Sequence, residues 1–344
     1  MVMMHVVVAG AGGIGGAIAG EVALAGGEVS VIDAWADHVE AIRADGLCLV
    51  GPGPAEGRTA RLPAWHTSES QQVAPIDLLV LAAKAFDNQW LAPLLAPQLA
   101  TDATVISAQN GVNEPLLSQM LGPERVIGTV VLFAAAATGP GQVRLDWLPT
   151  LQIGELDGTL TDRLDQVSSA LGPGIDVALS ENIWGAIWSK LVMNCMSNPV
   201  NATLGGQARD CREQPGPRRV SLACGSEAVA IGQARGHHIE PVSGIDAERI
   251  LVGGAGGPGA DQLAADWEAT AAELGDVKGS MPTDIERGHK TEIDSFSGFI
   301  SREGKRLGIP TPANDAVFHM VREIEAGARS PGPHNLDELL RVLG

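Results

Sequence analysis

Tyrosine is absent from this chain of 344 residues, and its 7 Trp and 5 Phe make the aromatic side chains only 3% of the total. The missing phenol excludes any mechanism that needs a tyrosine acid, such as the Tyr-and-Lys pair of the short-chain dehydrogenases. Cysteine is scarce too. Cys48, Cys195, Cys211 and Cys224 form no CxxC pair, which argues against a thiolate zinc site and for four thiols in a reducing compartment. Acidic side chains outnumber basic ones 41 to 23, and a formal charge of −18 repels an extended phosphate backbone, so nucleic acid is not an expected partner. No apolar run reaches the ~20 residues of a bilayer span; the longest, VIGTVVLFAAAA from Val126 to Ala137, stops short. The first residues, MVMMHVVVAGAGG, enter a strand pattern without the basic flank and cleavage site of a signal peptide, so no membrane partner and a cytoplasmic location are expected.

What is present is 45% apolar, as in ordinary globular proteins, over a length that suits two domains. Short Val/Ile-rich runs alternate with helical patterns as far as about residue 179: HVVVAG, EVSVID, IDLLVLAA, ATVISAQ and RVIGTVV. That alternation predicts a parallel sheet covered by helices, with QVRLDW and LQIGEL extending its edge antiparallel. From 180 to 344 helical patterns take over: Glu181 to Asn198, Arg219 to Arg235, Gly259 to Leu274, Thr283 to Leu307 and Thr311 to Ala326. Pro199 is expected to stop or kink the first of these, and GGAGGPG at 253 to 259 reads as a flexible loop.

The first chemical motif is Gly10-Ala11-Gly12-Gly13-Ile14-Gly15, directly after HVVVA and opening a helix of small residues. Glycines there let the chain turn tightly and let backbone amides at the helix start approach a pyrophosphate. EVSVID completes the βαβ unit and ends at Asp33, a carboxylate placed to accept hydrogen bonds from ribose hydroxyls. The residues after it, Ala34-Trp35-Ala36-Asp37-His38, offer no Arg or Lys for a 2′-phosphate, which favours NAD over NADP. The fold class is therefore α/β plus all-α: an N-terminal Rossmann-type doubly wound parallel sheet over residues 1–179 and a C-terminal helical domain over 180–344.

In WSKLVMNCMSNPVNA, from 188 to 202, Lys190, Asn194 and Asn198 recur every four residues and so share one helix face among apolar neighbours. Some ninety residues on, SMPTDIERGHKTEID supplies Ser280 before a proline-started turn. It also supplies Glu292, on a helix with Ile293, Phe296, Phe299 and Ile300 as its apolar face. Lys84, ending the strand LLVLAAK, and Asn110, in AQNG, come from the ends of parallel strands, where such sheets bind ligands. Together, in order along nearly the whole chain, GAGGIG, KAFD, QNG, WSKLVMNCMSNPVNA and SMPTDIERGHKTEID resemble the ketopantoate reductase (2-dehydropantoate 2-reductase) family.

The resemblance implies that Lys190 is the general acid and that Glu292 holds both the lysine and the substrate hydroxyl. Asn194, Asn198 and Ser280 then bind the substrate carboxylate and distal hydroxyl, and Asn110 and Lys84 line the junction with the cofactor. The chemistry is coherent without the name: hydride delivered to a carbonyl carbon leaves charge on oxygen, which an ammonium stabilises and protonates. A nearby carboxylate keeps such a lysine charged.

Two departures stand out. The family usually uses NADPH and has a basic residue after the second strand, where this chain has Asp33 and Asp37, and the loop-rich segment 244–279 is longer than usual. The family also includes NAD-using enzymes of branched D-2-hydroxy acids. The expectation is a dehydrogenase or reductase acting on a CH–OH group of a small 2-oxo or 2-hydroxy acid, as a homodimer. The alternatives are an NADPH-dependent 2-dehydropantoate 2-reductase of pantothenate biosynthesis, a silent NAD-sensing regulator, and an opine- or 3-hydroxyacid-type dehydrogenase. The eight histidines show no metal-ligand spacing, so no metal is expected, and His237-His238 reads as a solvated turn.

Overall fold

The computed structural model describes residues 4–51, 57–273 and 279–344, and its chain divides into two compact units, Met1–Ile183 and Trp184–Gly344. Twelve strands lie in the first unit among the described residues: β1 Val6–Ala9, β2 Val29–Asp33, β3 Leu47–Val50, β4 Arg58–Ala60, β5 Ala64–His66, β6 Ile76–Leu81, β7 Leu99–Ser107, β8 Gly128–Val131, β9 Ala135–Gly139, β10 Gln142–Leu145, β11 Thr150–Gly154 and β12 Asp176–Leu179. The main sheet is parallel with order β5-β2-β1-β6-β7.

Both faces of this sheet are covered, which is why its strands are apolar throughout rather than alternating. Val6 and Val8 of β1, with Leu78 and Val80 of β6, enter one core. Val7 and Ala9, with Leu79 and Leu81, enter the other. The chain leaves β1 toward β2 on one side and later returns to β6 on the other, so the strand order reverses beside β1, where open α/β sheets take their ligands.

The edge departs from expectation. LQIGEL does pair antiparallel with β8, in a three-stranded sheet β12-β11-β8, but QVRLDW joins a separate sheet β4-β3-β10-β9. The short strands β3, β4, β5, β9 and β12 carry too little apolar signal of their own; their partners select them.

In the second unit the helix Ile183–Leu204 runs through Pro199 and is buried nearly all round. The proline does not end it. A proline inside a helix costs about 3 kcal/mol, which the burial of the surrounding residues offsets. Helices Pro215–Ala234 and Pro312–Glu325 match their expected spans closely.

Two other expectations fail. The segment read as loop-rich holds an unforeseen helix, Ala247–Gly254, whereas the helix expected over Gly259 to Leu274 is present as Ala260–Ala269, continued by the 3-10 turn Thr270–Glu273, with Leu274 outside the described residues. The single helix expected over Thr283 to Leu307 is two, Ser280–Glu286 and Ser297–Leu307, because Gly288 at φ +66 turns the chain out of the first. Among the described residues no helix is long and apolar enough to cross a membrane.

Candidate active site

The glycine loop closes over the carboxyl end of β1. Gly10 sits at φ +96, where a side chain would be strained, and a Cβ there would overlap the backbone at Ala82 and Ala83. A Cβ at Gly15 would overlap the Gly10 carbonyl, so this position holds the helix Gly13–Leu24 against the strand end. Gly12 differs, because a Cβ there meets nothing within 4 Å. The helix starts beside that open space with no side-chain cap and no acidic residue in its first turn, leaving first-turn amides available to an anion. These residues fit a dinucleotide pyrophosphate.

Asp33 lies beside this loop at the end of β2. Its Oδ2 accepts the Ala11 N–H at 2.6 Å and its Oδ1 accepts the Trp35 N–H at 2.8 Å, so the carboxylate is fixed against the motif it was expected to serve. His38, fully buried, was not singled out by its sequence context. Its Nδ1 accepts the Gly141 N–H at 2.9 Å, which assigns the ring proton to Nε2, and Nε2 donates to Ala11 O at 2.9 Å.

Lys84 stands beyond the strand it was expected to end: β6 stops at Leu81, and Lys84 is the N-cap of a 3-10 turn Ala85–Asp87. Asn110 follows β7 in a loop held by buried amides. Asn113 Nδ2 donates to Asn110 O at 3.0 Å, and Gln109 Nε2 donates to Ala83 O and to Asn88 Oδ1, both at 2.8 Å. Asn88 Nδ2 donates to Gln109 Oε1 in return at 2.9 Å. The structure thus ties the loops bearing Lys84 and Asn110 to each other, through amides with no spacing signature in the sequence.

In the second unit Lys190, Asn194 and Asn198 share a face of the helix Ile183–Leu204. Asn194 is 3% exposed and its Oδ1 accepts from Asn198 Nδ2 at 3.3 Å. Gly279, the N-cap of the helix Ser280–Glu286, packs so near Asn198 Oδ1 that a Cβ would overlap it, which brings the Ser280 segment to the asparagines. Ser280 opens a helix rather than preceding a turn, and its side chain is exposed.

Burial pushes the Lys190 ammonium below the usual lysine range. Glu292 itself is buried at 5% exposure. It is not on a helix but at the N-cap of the 3-10 turn Ile293–Ser295. Its neighbour Thr291 pins the segment: the Thr291 N–H and Oγ1 both donate to Glu325 Oε1, at 2.7 and 2.6 Å, and Thr291 Oγ1 accepts from Ile293 N at 3.2 Å.

Burial drives the Cys195 thiol well up, which suits a packing residue and disfavours a nucleophile. His237 is not a solvated turn residue; it stacks on Trp184 and Trp188 at 5.0 and 5.6 Å between ring centroids, and burial lowers its pKa. Among the described residues no group of three or more His, Cys, Asp or Glu side chains is placed to hold a metal ion.

Fold and loop chemistry place the protein among the nicotinamide-dependent oxidoreductases that act on a CH–OH group. More narrowly, it belongs to the ketopantoate reductase PanE/ApbA family: the model of that name matches residues 6–158, and the family's C-terminal model matches 182–325. The chain is 29% identical to a 2-dehydropantoate 2-reductase of Mesorhizobium japonicum, over 93% of its own length and 98% of that protein. It is 31% identical to a PanE/ApbA family ketopantoate reductase from Ralstonia eutropha JMP134 of known crystal structure, with a TM-score of 0.79 over 94% of this chain and 99% of that one. A D-mandelate dehydrogenase, solved with NADH and anilino(oxo)acetate, shares the fold at TM-score 0.81 and 24% identity over 94% of this chain and 99% of that one.

Proposed function

We propose that the protein interconverts a 2-oxo acid and the corresponding D-2-hydroxy acid with NAD as cofactor. The observation that carries the cofactor choice is the Asp33 carboxylate, fixed by the Ala11 and Trp35 amides where an adenosine ribose is bound in such folds. A carboxylate held there accepts from ribose hydroxyls and repels a 2′-phosphate. Gly10, Ala11, Gly12, Gly13, Ile14 and Gly15 hold the pyrophosphate through backbone amides, and Lys84 and Asn110 flank the nicotinamide. The nicotinamide, when bound, supplies or accepts the hydride.

The chain's own part in the chemistry falls to the second unit. Lys190 Nζ gives its proton to the carbonyl oxygen as the carbonyl is reduced, or takes it from the hydroxyl in the reverse direction. Burial lowers its pKa, which makes the ammonium a readier proton donor. Glu292 orients the ammonium and the substrate hydroxyl, and Asn194, Asn198 and Ser280 hold the carboxylate and the rest of the substrate without adding a buried charge. Support for the substrate class comes from the names of the relatives, 2-dehydropantoate 2-reductase and D-mandelate dehydrogenase, whose substrates are 2-oxo acids or their alcohols. The same names favour one second reading, an NADPH-dependent 2-dehydropantoate 2-reductase.

The test is a screen with NAD and NADP against pantoate and other D-2-hydroxy acids, and the corresponding oxo acids in reverse. Preference for NADP would overturn the reading of Asp33. Lys190→Ala should lower kcat by about 10²–10⁴ with cofactor affinity intact, and an active Lys190→Ala enzyme would remove the lysine from its role.

A further inference from the structure

Trp35 is a large apolar side chain left 42% exposed directly after Asp33, yet its ring is not loose. The indole stacks flat on the His38 imidazole, with centroids 5.0 Å apart and planes 8° from parallel. His38 is the fully buried ring that joins the Ala11 carbonyl in the glycine loop to the Gly141 amide between β9 and β10. Trp35 N–H in turn donates to Asp33, and Ala11 N–H donates to the other oxygen of the same carboxylate. Asp33, Trp35, His38 and Ala11 thus form one closed circuit of contacts at the outer end of the proposed cofactor site.

The Arg43 guanidinium is committed to Ala64 O, Glu40 and Glu69, and its face lies over Trp65. His66, paired with Asp33 across the strands, has its ring nitrogens on Ser68 Oγ at 2.7 Å and Ala34 O at 3.3 Å.

We propose that Trp35 is a selectivity-determining residue and His38 its positioning residue: the indole, propped on the imidazole, forms a flat apolar wall that takes the adenine end of a dinucleotide without a 2′-phosphate. The proposal rests on the NAD reading above and adds to it a surface that stacks on the base, independent of the charge of Asp33. An indole face stacks on the adenine that both cofactors carry but offers no donor set to a 2′-phosphate beside it, so the selectivity comes from the phosphate being left unpaired at that wall. His38 acts only through Trp35 and Ala11.

NADH and NADPH are titrated at equilibrium into the intact protein, following nicotinamide fluorescence, alongside steady-state kinetics. The wild type should bind NADH at least about ten-fold tighter than NADPH. Loss of the stacking surface in Trp35→Ala should weaken NADH about ten-fold, while kcat at saturating NADH and the KM of the acid stay unchanged. Trp35→Arg should tighten NADPH by about ten-fold, since a guanidinium pairs with the phosphate. His38→Phe keeps a ring under the indole but loses both hydrogen bonds, so it should weaken NADH; His38→Gln, which can still donate to Ala11 O, should recover part of the loss.

If the wild type prefers NADH but both Trp35 variants bind the two cofactors as the wild type does, the proposal falls and the reading of Asp33 stands. If the wild type prefers NADPH, the reading of Asp33 falls and takes the proposal with it. The exposed Trp35 variants keep the test decisive should a His38 variant fail to fold.

Discussion

Gly12 and Gly15 belong to one motif but meet different surroundings, and alanine at each separates packing from ligand binding. At Gly15 the new methyl overlaps the Gly10 carbonyl and crowds Ala82 Cβ and Val8. Overpacking of this kind costs about 1–3 kcal/mol, and more when backbone must yield. In a unit of this size each kcal/mol moves the melting temperature by about 2–4 °C, so Gly15→Ala should melt roughly 5–10 °C lower. At Gly12 the methyl enters open space, and the loss of glycine at an N-cap costs only about 0.5 kcal/mol. Gly12→Ala should therefore melt within about 2 °C of the wild type.

If the pyrophosphate approaches the backbone there, however, the same methyl stands in its way, and NADH affinity should fall at least about ten-fold, near 1.4 kcal/mol. Differential scanning calorimetry without cofactor and calorimetric titration with NADH measure the two quantities separately. A Gly12→Ala protein that binds NADH as tightly as the wild type would refute the assignment of the open space to the pyrophosphate.

Burial depresses the Lys190 pKa, so in the reduction direction, where the ammonium is the reactive form, kcat/KM should decline as pH rises through a midpoint below the ordinary 10.5; a profile flat to that pH would exclude lysine as the proton donor. Glu325→Gln disturbs the acceptor of both Thr291 hydrogen bonds and should lower kcat about ten-fold through the Glu292 segment, leaving the NADH dissociation constant as it was; unchanged kcat would show that the segment holds itself. Glu114, buried at the start of the helix Glu114–Leu121, has its pKa pushed up to about 7 by desolvation against an ordinary 4.5. Its ionised form is the one that folding disfavours, so the cost is absent below about 4.5, complete above about 7, and of order 3 kcal/mol. Glu114→Gln should accordingly flatten the rise in melting temperature expected as pH falls from 8 to 5, and an identical pH dependence in both proteins would contradict the burial argument.

The sequence alone determined the parallel sheet, the glycine loop and the helix bearing Lys190, Asn194 and Asn198. Each is encoded by a local period or by a residue type that only one backbone conformation needs: continuous apolar runs in β1 and β6, glycine at positive φ, polar groups four apart on a helix. Tertiary structure alone decided the course of the helix past Pro199, since burial on all sides outweighs a local penalty that reading by propensity takes as a stop. It also decided the break at Gly288 that puts Glu292 on a turn, and the pairing of β3, β4, β9 and β12, strands too short to declare themselves. His38 is the clearest case. Its partners Ala11 and Gly141 are 27 and 103 residues away, so nothing near it in the chain marks the hydrogen bonds that bind it to the glycine loop.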